Sequence, residues 1–244
     1  MSSFAKSSFQ TDLEREAKEL GADLFGVADL TIAQDFVCKQ GGEYLGKFSR
    51  AVSIGIRLLD AVVDELYRRD DPAVAHTYTA LYNSVNSRLD HIGLLLARRI
   101  QEKGYKAYVI PASQTLDTKK LTGVFSHKLA ANLAGLGWIG KSCLLITPNY
   151  GPRVRLATIL TDAPLKAGSS IGEKCKDCKK CVSVCPAKAF TGVPFDPSEP
   201  REVRFKAHLC KSYRKKREEK LGEGFLCGLC VYVCPHGRPS QRLP

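Results

Sequence analysis

Eight of the ten cysteines lie in the last 70 residues, and their spacing is the clearest chemical signal in the sequence. Two motifs combine closely spaced cysteines with a final Cys-Pro pair: Cys175-x2-Cys178-x2-Cys181-x3-Cys185-Pro186 and Cys227-x2-Cys230-x3-Cys234-Pro235. This pattern is typical of bacterial domains with two [4Fe-4S] clusters, in which the cysteine before proline binds the other motif's cluster. The sequence therefore predicts two clusters and one-electron chemistry at low potential.

The exchange of ligands between the motifs defines two predicted sets of four cysteines. The predicted ligands of cluster one are Cys175, Cys178, Cys181 and Cys234. The predicted ligands of cluster two are Cys185, Cys210, Cys227 and Cys230, although Cys210 precedes Cys227 by seventeen residues instead of three. Structural zinc is the alternative, but zinc sites favour two separated cysteine pairs, commonly with histidine.

The rest of the composition is that of an ordinary globular chain of one large or two small domains. It has 244 residues, 44% hydrophobic and 25% charged. The N-terminus lacks an apolar segment of signal-peptide length, and no apolar run approaches the roughly 18 residues that span a bilayer. We therefore expect no membrane association and a cytoplasmic location, where clustered cysteines serve as metal or redox groups before disulfides.

The elements that must position the cysteines change in character near residue 165. Before it, apolar periodicity predicts helices over 9–20, 72–104 and 125–134, and strands over 24–28, 51–56, 105–110, 143–147 and 154–161. This alternation is typical of a layered α/β (α+β) domain, predicted over residues 1–165. Residues 164–174, rich in Gly and Ser, are the predicted linker to a ferredoxin-like double-cluster domain over 166–244.

Three glycines, Gly135, Gly137 and Gly140, fit the G-x-G-x-x-G pattern of dinucleotide sites. The context does not fit, because a predicted helix precedes them and a strand follows, whereas a dinucleotide site requires strand, turn and then helix. The sequence thus argues against a nicotinamide site. Two interpretations of the glycines remain open: they close a helix and let Trp138 pack, or they contact another ligand.

The segment from Ser126 to Lys141, SHKLAANLAGLGWIGK, followed by the double-cluster motifs, closely resembles the epoxyqueuosine reductase family, which is related to the reductive dehalogenases. The resemblance extends over nearly the whole chain. It implies a base-off cobalamin held between the two domains, with cluster one passing electrons to the cobalt. The cofactor contacts that it implies are Ser126, His127, Lys128, Gly135, Gly137, Trp138, Gly140 and Lys141.

The sequence departs from the family pattern just ahead of this segment. The family carries an aspartate regarded as the proton donor and a nearby glutamate, whose positions are occupied here by Leu121 and His127. Typical members also continue into a helical-repeat domain associated with tRNA binding, whereas this sequence ends at Pro244. The resemblance therefore implies a short form in which the cofactors are better supported than epoxyqueuosine reduction itself.

Reduction of a substrate at cobalt requires a proton donor with a suitable pKa. His127 is the first candidate, because the intrinsic pKa of histidine suits proton transfer. Tyr78 and Tyr82, on neighbouring turns of the predicted long helix, are candidates by resemblance to the dehalogenase tyrosine. Each also has a structural explanation: the histidine could cap a helix start, and tyrosines at helical spacing commonly pack in a core.

Basic residues exceed acidic ones by twelve, 37 Lys+Arg against 25 Asp+Glu, and half of this excess lies in residues 201–220. Three interpretations of this stretch are open. It is a solvated loop, a docking face for a low-potential electron donor such as ferredoxin or flavodoxin, or a tRNA-binding surface. Aromatic residues are sparse there, so tRNA is the less favoured partner.

Together these features predict a cobalamin-binding iron–sulfur oxidoreductase that passes low-potential electrons through two clusters to cobalt and on to an organic substrate. One alternative is an electron-transfer protein that reductively activates a partner corrinoid protein. The other is a short tRNA epoxyqueuosine reductase.

Overall fold

The computed structural model describes residues 8–222 and 225–237. Its strands are β1 Leu24–Asp29, β2 Arg50–Arg57, β3 Ala107–Ile110, β4 Trp138–Ile139, β5 Leu145–Ile146 and β6 Val154–Thr161. Its helices are α1 Phe9–Glu19, α2 Gln34–Gly41, α3 Asp60–Asp64, α4 Pro72–Glu102, α5 His127–Leu133, α6 Lys180–Ser183, α7 Ala207–Leu221 and α8 Leu229–Tyr232. None of the described helices is long and apolar enough to span a membrane.

The central sheet has four strands in the order β1-β2-β6-β3, and every neighbouring pair is antiparallel. Because successive side chains of a strand point to opposite faces, β2 places Val52 and Ile54 with α4 on one face and Ala51 with α5 on the other. The predicted layers of helices on a sheet are therefore confirmed. Because the strands are antiparallel, the fold is of the α+β type. We call residues 8–165 the sheet region.

Helix α4 is the long element that links the core to the site. Asp71 caps it by accepting a hydrogen bond from the Ala73 amide, and Pro72 occupies its first turn, as helix starts favour. Its buried residues Leu89, Ile92 and Leu96 recur at helical spacing against the sheet. The predicted helix over 72–104 therefore forms, and it ends at Glu102.

The other predicted helices and strands agree with the structure to different degrees. Strand β6 has the predicted bounds, 154–161, whereas the strand predicted over 143–147 is only β5, which pairs with β4 in a two-stranded hairpin. Helices α2, α3, α6, α7 and α8 were not predicted from the sequence. Residues 162–179, all of them described, contain no helix or strand. We call the described residues from 166 onward the cluster region.

Candidate functional site

Four cysteines drawn from both motifs line one small cavity. They are Cys175, Cys178, Cys181 and Cys234. Burial, followed by the neighbouring Cys175 and Cys178, raises the pKa of Cys181 to about 11, and burial and the same neighbours raise the pKa of Cys234 to about 11. Thiols that resist ionisation together in this way become stable thiolates once a metal is bound. The cavity thus assembles the predicted ligands of cluster one.

The other four cysteines form a second group, beside α8. Burial, followed by Cys227 and Cys210, raises the pKa of Cys230, and Cys227 and Cys185 both act on Cys210. Cys210 reaches this group because it lies in the first turns of α7. The structure therefore brings together Cys185, Cys210, Cys227 and Cys230, the predicted ligands of cluster two. Cys181 also contributes to the raised pKa of Cys230, so the two groups of cysteines are neighbours.

The donor sets and their surroundings fit sulfur-rich, anionic clusters. The described part of the chain holds no group of three His, Cys, Asp or Glu side chains arranged around a single ion; the thiols of the first set instead surround a cavity. Several buried side-chain N–H groups make no hydrogen bond of ordinary geometry to a described residue, and two of them are Trp138 Nε1 and Arg69 Nε. Each of these two lies beside a cluster cysteine, Cys175 and Cys227 respectively. Cluster sulfurs accept such hydrogen bonds.

A second cavity, of about 1840 Å³, lies between the sheet region and residues 195–214 of the cluster region. It exceeds the roughly 300–1,000 Å³ of ordinary small-molecule sites. Its walls include the start of α5, strand β6, the loop over residues 113–123 and four arginines, Arg155, Arg201, Arg204 and Arg214. The volume and the mixed apolar and polar walls fit a large macrocyclic cofactor with room for a substrate.

The β4–β5 hairpin and its turn separate the two cavities. Ile139, Cys143, Leu144 and Leu145 line the large cavity, whereas Lys141, Ser142 and Ile146 line the cysteine cavity. Neighbouring residues of one segment thus contact both spaces, so the wall between them is a single layer of polypeptide. We call residues 138–146 the hairpin wall.

His127 lines the large cavity, but both of its ring nitrogens are occupied. Nε2 lies 3.1 Å from the Pro111 carbonyl, which can only accept, so this nitrogen carries the proton and donates. Burial lowers the pKa of His127 to about 4, with the nearby Arg155 acting in the same direction. The ring is therefore neutral, and Nδ1 accepts from the Thr158 hydroxyl at 2.9 Å. This bonding suits a positioning role, and it disfavours the predicted role of proton donor.

The two candidate tyrosines have different surroundings although they lie one turn apart on α4. Tyr82 lines the large cavity, where Arg155 Nη2 donates to its oxygen at 2.8 Å and the guanidinium lies 4.0 Å from its ring centroid. Tyr82 also shares a short hydrogen bond with Ser113. Tyr78 is 4% exposed, does not line this cavity, and packs against Gly228 beside cluster two. Burial raises the pKa of Tyr78. The structure thus favours Tyr82 and places Tyr78 in the core.

The predicted cofactor contacts divide into two groups. Ser126, His127 and Lys128 line the large cavity, and Ser126 also caps α5 by accepting from the Leu129 amide. The other five, Gly135, Gly137, Trp138, Gly140 and Lys141, do not line it. Gly137 lies against β5, where a Cβ would be 2.3 Å from the Ile146 oxygen, and Gly140 lies against Cys175. Close packing explains these glycines: Gly137 meets the backbone of Ile146, Gly140 meets the Ile146 side chain and the Cys175 sulfur, and Gly135 meets the backbone of Ser169.

Sequence reasoning missed Arg155, whereas Arg201, Arg204 and Arg214 belong to the basic stretch over 201–220 that it interpreted as a loop or a docking surface. An arginine in a strand carries no motif, and the only available signal was its place in β6, directly before the apolar run LATIL. The Lys128 ammonium was found by resemblance. It donates to the Cys143 carbonyl, and burial lowers its pKa. Lys128 therefore ties the start of α5 to the hairpin wall.

Comparisons with known proteins agree with this geometry. A family profile described as a 4Fe-4S double cluster binding domain matches residues 174–237. Epoxyqueuosine reductase of Bacillus anthracis is 31% identical over 150 residues, 59% of this chain and 38% of that protein. Tetrachloroethene reductive dehalogenase of Sulfurospirillum multivorans is 34% identical over 155 residues, 61% of this chain and 29% of that protein. The chain spans about two-fifths or less of these relatives.

Solved structures share the fold. An epoxyqueuosine reductase with a tRNA-Tyr stem loop has a TM-score of 0.58 at 19% identity, covering 93% of this chain and 65% of that one. A reductive dehalogenase whose structure suggests a mechanism for B12-dependent dehalogenation has a TM-score of 0.69 at 19% identity, covering 97% and 33%. The solved structures show a shared fold, and in sequence the chain is similar to an epoxyqueuosine reductase and a reductive dehalogenase.

Proposed function

We propose that this protein is a corrinoid-dependent iron–sulfur oxidoreductase that reduces an organic substrate in the large cavity. The observation that carries the proposal is the hairpin wall, because one short segment contacts both the cysteine cavity and a space large enough for a macrocyclic cofactor. The B12-dependent dehalogenation of a structural relative supports a corrinoid in that space. We take residue 165 as the boundary between the two domains.

The cofactors would supply one-electron steps through the clusters and reduction at cobalt, and the chain's own residues supply the surroundings. The eight cysteines would hold the clusters. Lys128 fixes the start of α5 against the hairpin wall by its bond to the Cys143 carbonyl. His127 joins α5 to Pro111 and to Thr158 of β6, so it holds three wall segments in register. These hydrogen bonds hold the walls of the large cavity in place before a ligand binds.

Tyr82 is the proposed proton donor, at its phenolic oxygen. Loss of this proton leaves a phenolate, and the adjacent Arg155 guanidinium stabilises that anion by a charge-assisted hydrogen bond. Asn86 accepts from Arg155 Nε at 3.0 Å, so the guanidinium stays oriented toward Tyr82. Arg155 is therefore a positioning residue for the donor tyrosine.

A low-potential electron carrier is the proposed partner. Helix α7 carries Cys210 on its inner side and exposes Lys211, Lys215, Lys216 and Lys220. Opposite charge on a ferredoxin or flavodoxin would speed its encounter with this face. The same face would place the carrier close to cluster two.

Binding of a corrinoid tests the proposal. The full chain is purified anaerobically, its clusters are reconstituted, and hydroxocobalamin is added before gel filtration and absorption spectroscopy. We expect about one corrinoid per chain in the wild type and in the control Leu94→Trp, because Leu94 is 55% exposed on α4. We expect much less in Leu144→Trp, which fills the large cavity. If the wild type retains no corrinoid, the enzyme proposal fails and an electron carrier remains.

Reduction of epoxyqueuosine in tRNA is the second candidate function. The similarity to a solved epoxyqueuosine reductase with a bound tRNA stem loop supports it. The aspartate position of the family is Leu121 here, and Leu121 lines the same cavity as Tyr82. Incubation of the loaded protein with epoxyqueuosine-containing tRNA and a chemical reductant, followed by nucleoside analysis, decides between this candidate and another organic substrate.

A further inference from the structure

Each cluster site has one buried side-chain N–H donor that comes from the sheet region and makes no hydrogen bond of ordinary geometry to a described residue, although a cysteine lies beside it. At cluster one the donor is Trp138 Nε1, from β4. At cluster two it is Arg69 Nε, from the connection between α3 and α4. A buried donor without a well-placed acceptor is destabilising, so both positions favour a sulfur acceptor in the space beside the cysteines.

Trp138 is held rigidly beside the first motif. Its side chain is 2% exposed, and its ring packs edge-on against His236 with centroids 4.9 Å apart. Two residues further along, a Cβ on Gly140 would lie 3.2 Å from the Cys175 sulfur, so the chain directly after β4 passes close to this cysteine. The indole N–H counters the rise that burial causes in the pKa of Cys175. The acceptor at hand is therefore sulfur.

Arg69 is enclosed by the elements that carry the cysteines of cluster two. Its Nη2 lies 3.5 Å from the hydroxyl of Tyr213, which is one turn beyond Cys210 on α7. The nearby Leu66 packs on Gly228, where a Cβ would lie 2.6 Å from its side chain, and Gly228 follows Cys227.

The charge of Arg69 is not neutralised by a carboxylate in the described part of the chain. The next residue back is a contrast, because Arg68 is 53% exposed and pairs with Glu65 and Asp71. Arg69 also counters, by its charge and by a hydrogen bond, the rise that burial causes in the pKa of Cys227. A fixed positive charge therefore lies at cluster two.

We propose that Trp138 and Arg69 donate N–H···S hydrogen bonds to cluster one and cluster two respectively, and thereby set the two reduction potentials separately. Reduction adds negative charge to a cluster, so a nearby N–H dipole or cation stabilises the reduced form and raises the potential. Arg69 has the larger effect because it brings a full charge as well as a donor.

The test is a redox titration of the reconstituted full chain, followed by electron paramagnetic resonance. Arg69→Gln removes the charge, and at a fixed potential we expect the reduced-to-oxidised ratio of one cluster signal to fall about tenfold, a shift of about 59 mV for one electron. Arg69→Lys keeps the charge, so its shift is smaller. Arg68→Gln is the matched control, and its potentials stay at the wild-type values.

The test of Trp138 is specific because the sequence contains only this tryptophan. Growth on the benzothiophene analogue of tryptophan replaces this single N–H by sulfur while the ring shape is kept, and Trp138→Phe is the second variant. We expect the signal that Arg69→Gln leaves unchanged to lose about threefold in its reduced-to-oxidised ratio.

The inference rests on the two-cluster part of the proposed function, and the outcomes separate the two. Absence of cluster signals in the reconstituted wild type overturns the proposed function and this inference with it. Two signals whose potentials do not respond to Arg69→Gln, Arg69→Lys and the tryptophan analogue overturn only the inference. The inference is also overturned if the Arg69 variants and the tryptophan analogue all shift the potential of the same cluster.

Discussion

The sheet region and the cluster region are stabilised in different ways. The sheet region has antiparallel ladders of up to eight residue pairs and supplies nearly all of the buried side chains in three apolar clusters, of which one also includes Val231. In the cluster region the helices α6 and α8 have only four residues each, and its buried apolar side chains are few, such as Phe190, Phe225 and Val231. Apolar burial thus accounts for the first region, whereas the second depends on what its cysteines bind.

Loss of one cluster ligand should have the largest effect, because it should destabilise the cluster region and leave the sheet region stable. In Cys181→Ser we expect the iron of cluster one to be lost and hydrogen-exchange protection over 175–237 to collapse, while the sheet strands stay protected. The control is Cys38→Ser, because Cys38 lies on α2, away from both cysteine groups. Iron analysis and exchange mass spectrometry measure both effects. Full protection of the cluster region without iron would contradict the comparison.

Removal of the Tyr82 hydroxyl should lower catalytic activity and leave the fold and the cofactor content unchanged. We expect Tyr82→Phe to lower the turnover number by about 10²–10⁴ through loss of the proton donor, with corrinoid and iron contents unchanged. Tyr78→Phe, one turn away and outside the cavity, is the matched variant and should keep most of its activity. Single-turnover kinetics with any substrate that the wild type reduces provide the measurement. Equal losses in the two variants would exclude Tyr82 as the donor.

A methyl group placed against the hairpin wall should disturb the contact between the regions. In Gly137→Ala the new Cβ would lie 2.3 Å from the Ile146 oxygen, so β4 and β5 must separate. We expect a loss of about 2–4 kcal/mol in stability, together with poorer retention of cluster one. Gly172→Ala is the control, because a Cβ there meets no atom within 4 Å. Denaturant unfolding compares the two, and equal stability would show that the wall tolerates widening.

The smallest expected effect concerns the pH dependence of the sheet region. Burial lowers the pKa of His127 in the folded protein to about 4, below its ordinary value of 6.5, so the unfolded chain binds this proton more readily. Stability is therefore fully retained above pH 6.5 and falls as the pH drops toward 4. In His127→Gln this part of the decline should be absent, while His91→Gln, an exposed position on α4, behaves as the wild type. Unfolding midpoints between pH 7 and 4.5 supply the measurement; parallel curves would disprove the assignment.

The sequence predicted best those features that depend on local spacing. The two cysteine motifs, helix α4 and strand β6 follow from short-range periodicity, and the structure shows them with small shifts of bounds. Helix α7 was missed because its exposed lysines and half-buried arginines give no apolar stripe, and only Ala207 in it is buried. Its inner side is covered by contacts such as that of Arg214 Nε with the Phe225 carbonyl.

The site itself depends on contacts that spacing does not encode. Tyr78 and Tyr82 lie one turn apart on the same helix, yet it is the Tyr82 hydroxyl that accepts a hydrogen bond from Arg155, which comes from the distant strand β6. His127 was predicted as an acid on its intrinsic pKa, but desolvation and two hydrogen-bond partners make it a neutral tether. Trp138 was assigned to the corrinoid by resemblance, and it lies instead beside Cys175.

The cavity that unites Cys175, Cys178 and Cys181 with Cys234 has a consequence for biosynthesis. The first three thiols leave the ribosome long before the fourth, whereas every strand of the sheet region precedes them in the chain. The sheet region can therefore fold during translation, while the first cluster cannot be completed until the cluster region is almost fully made. During that interval three unprotected thiols are exposed to oxidants, so slow translation or aerobic expression should lower the fraction of chains that receive their iron.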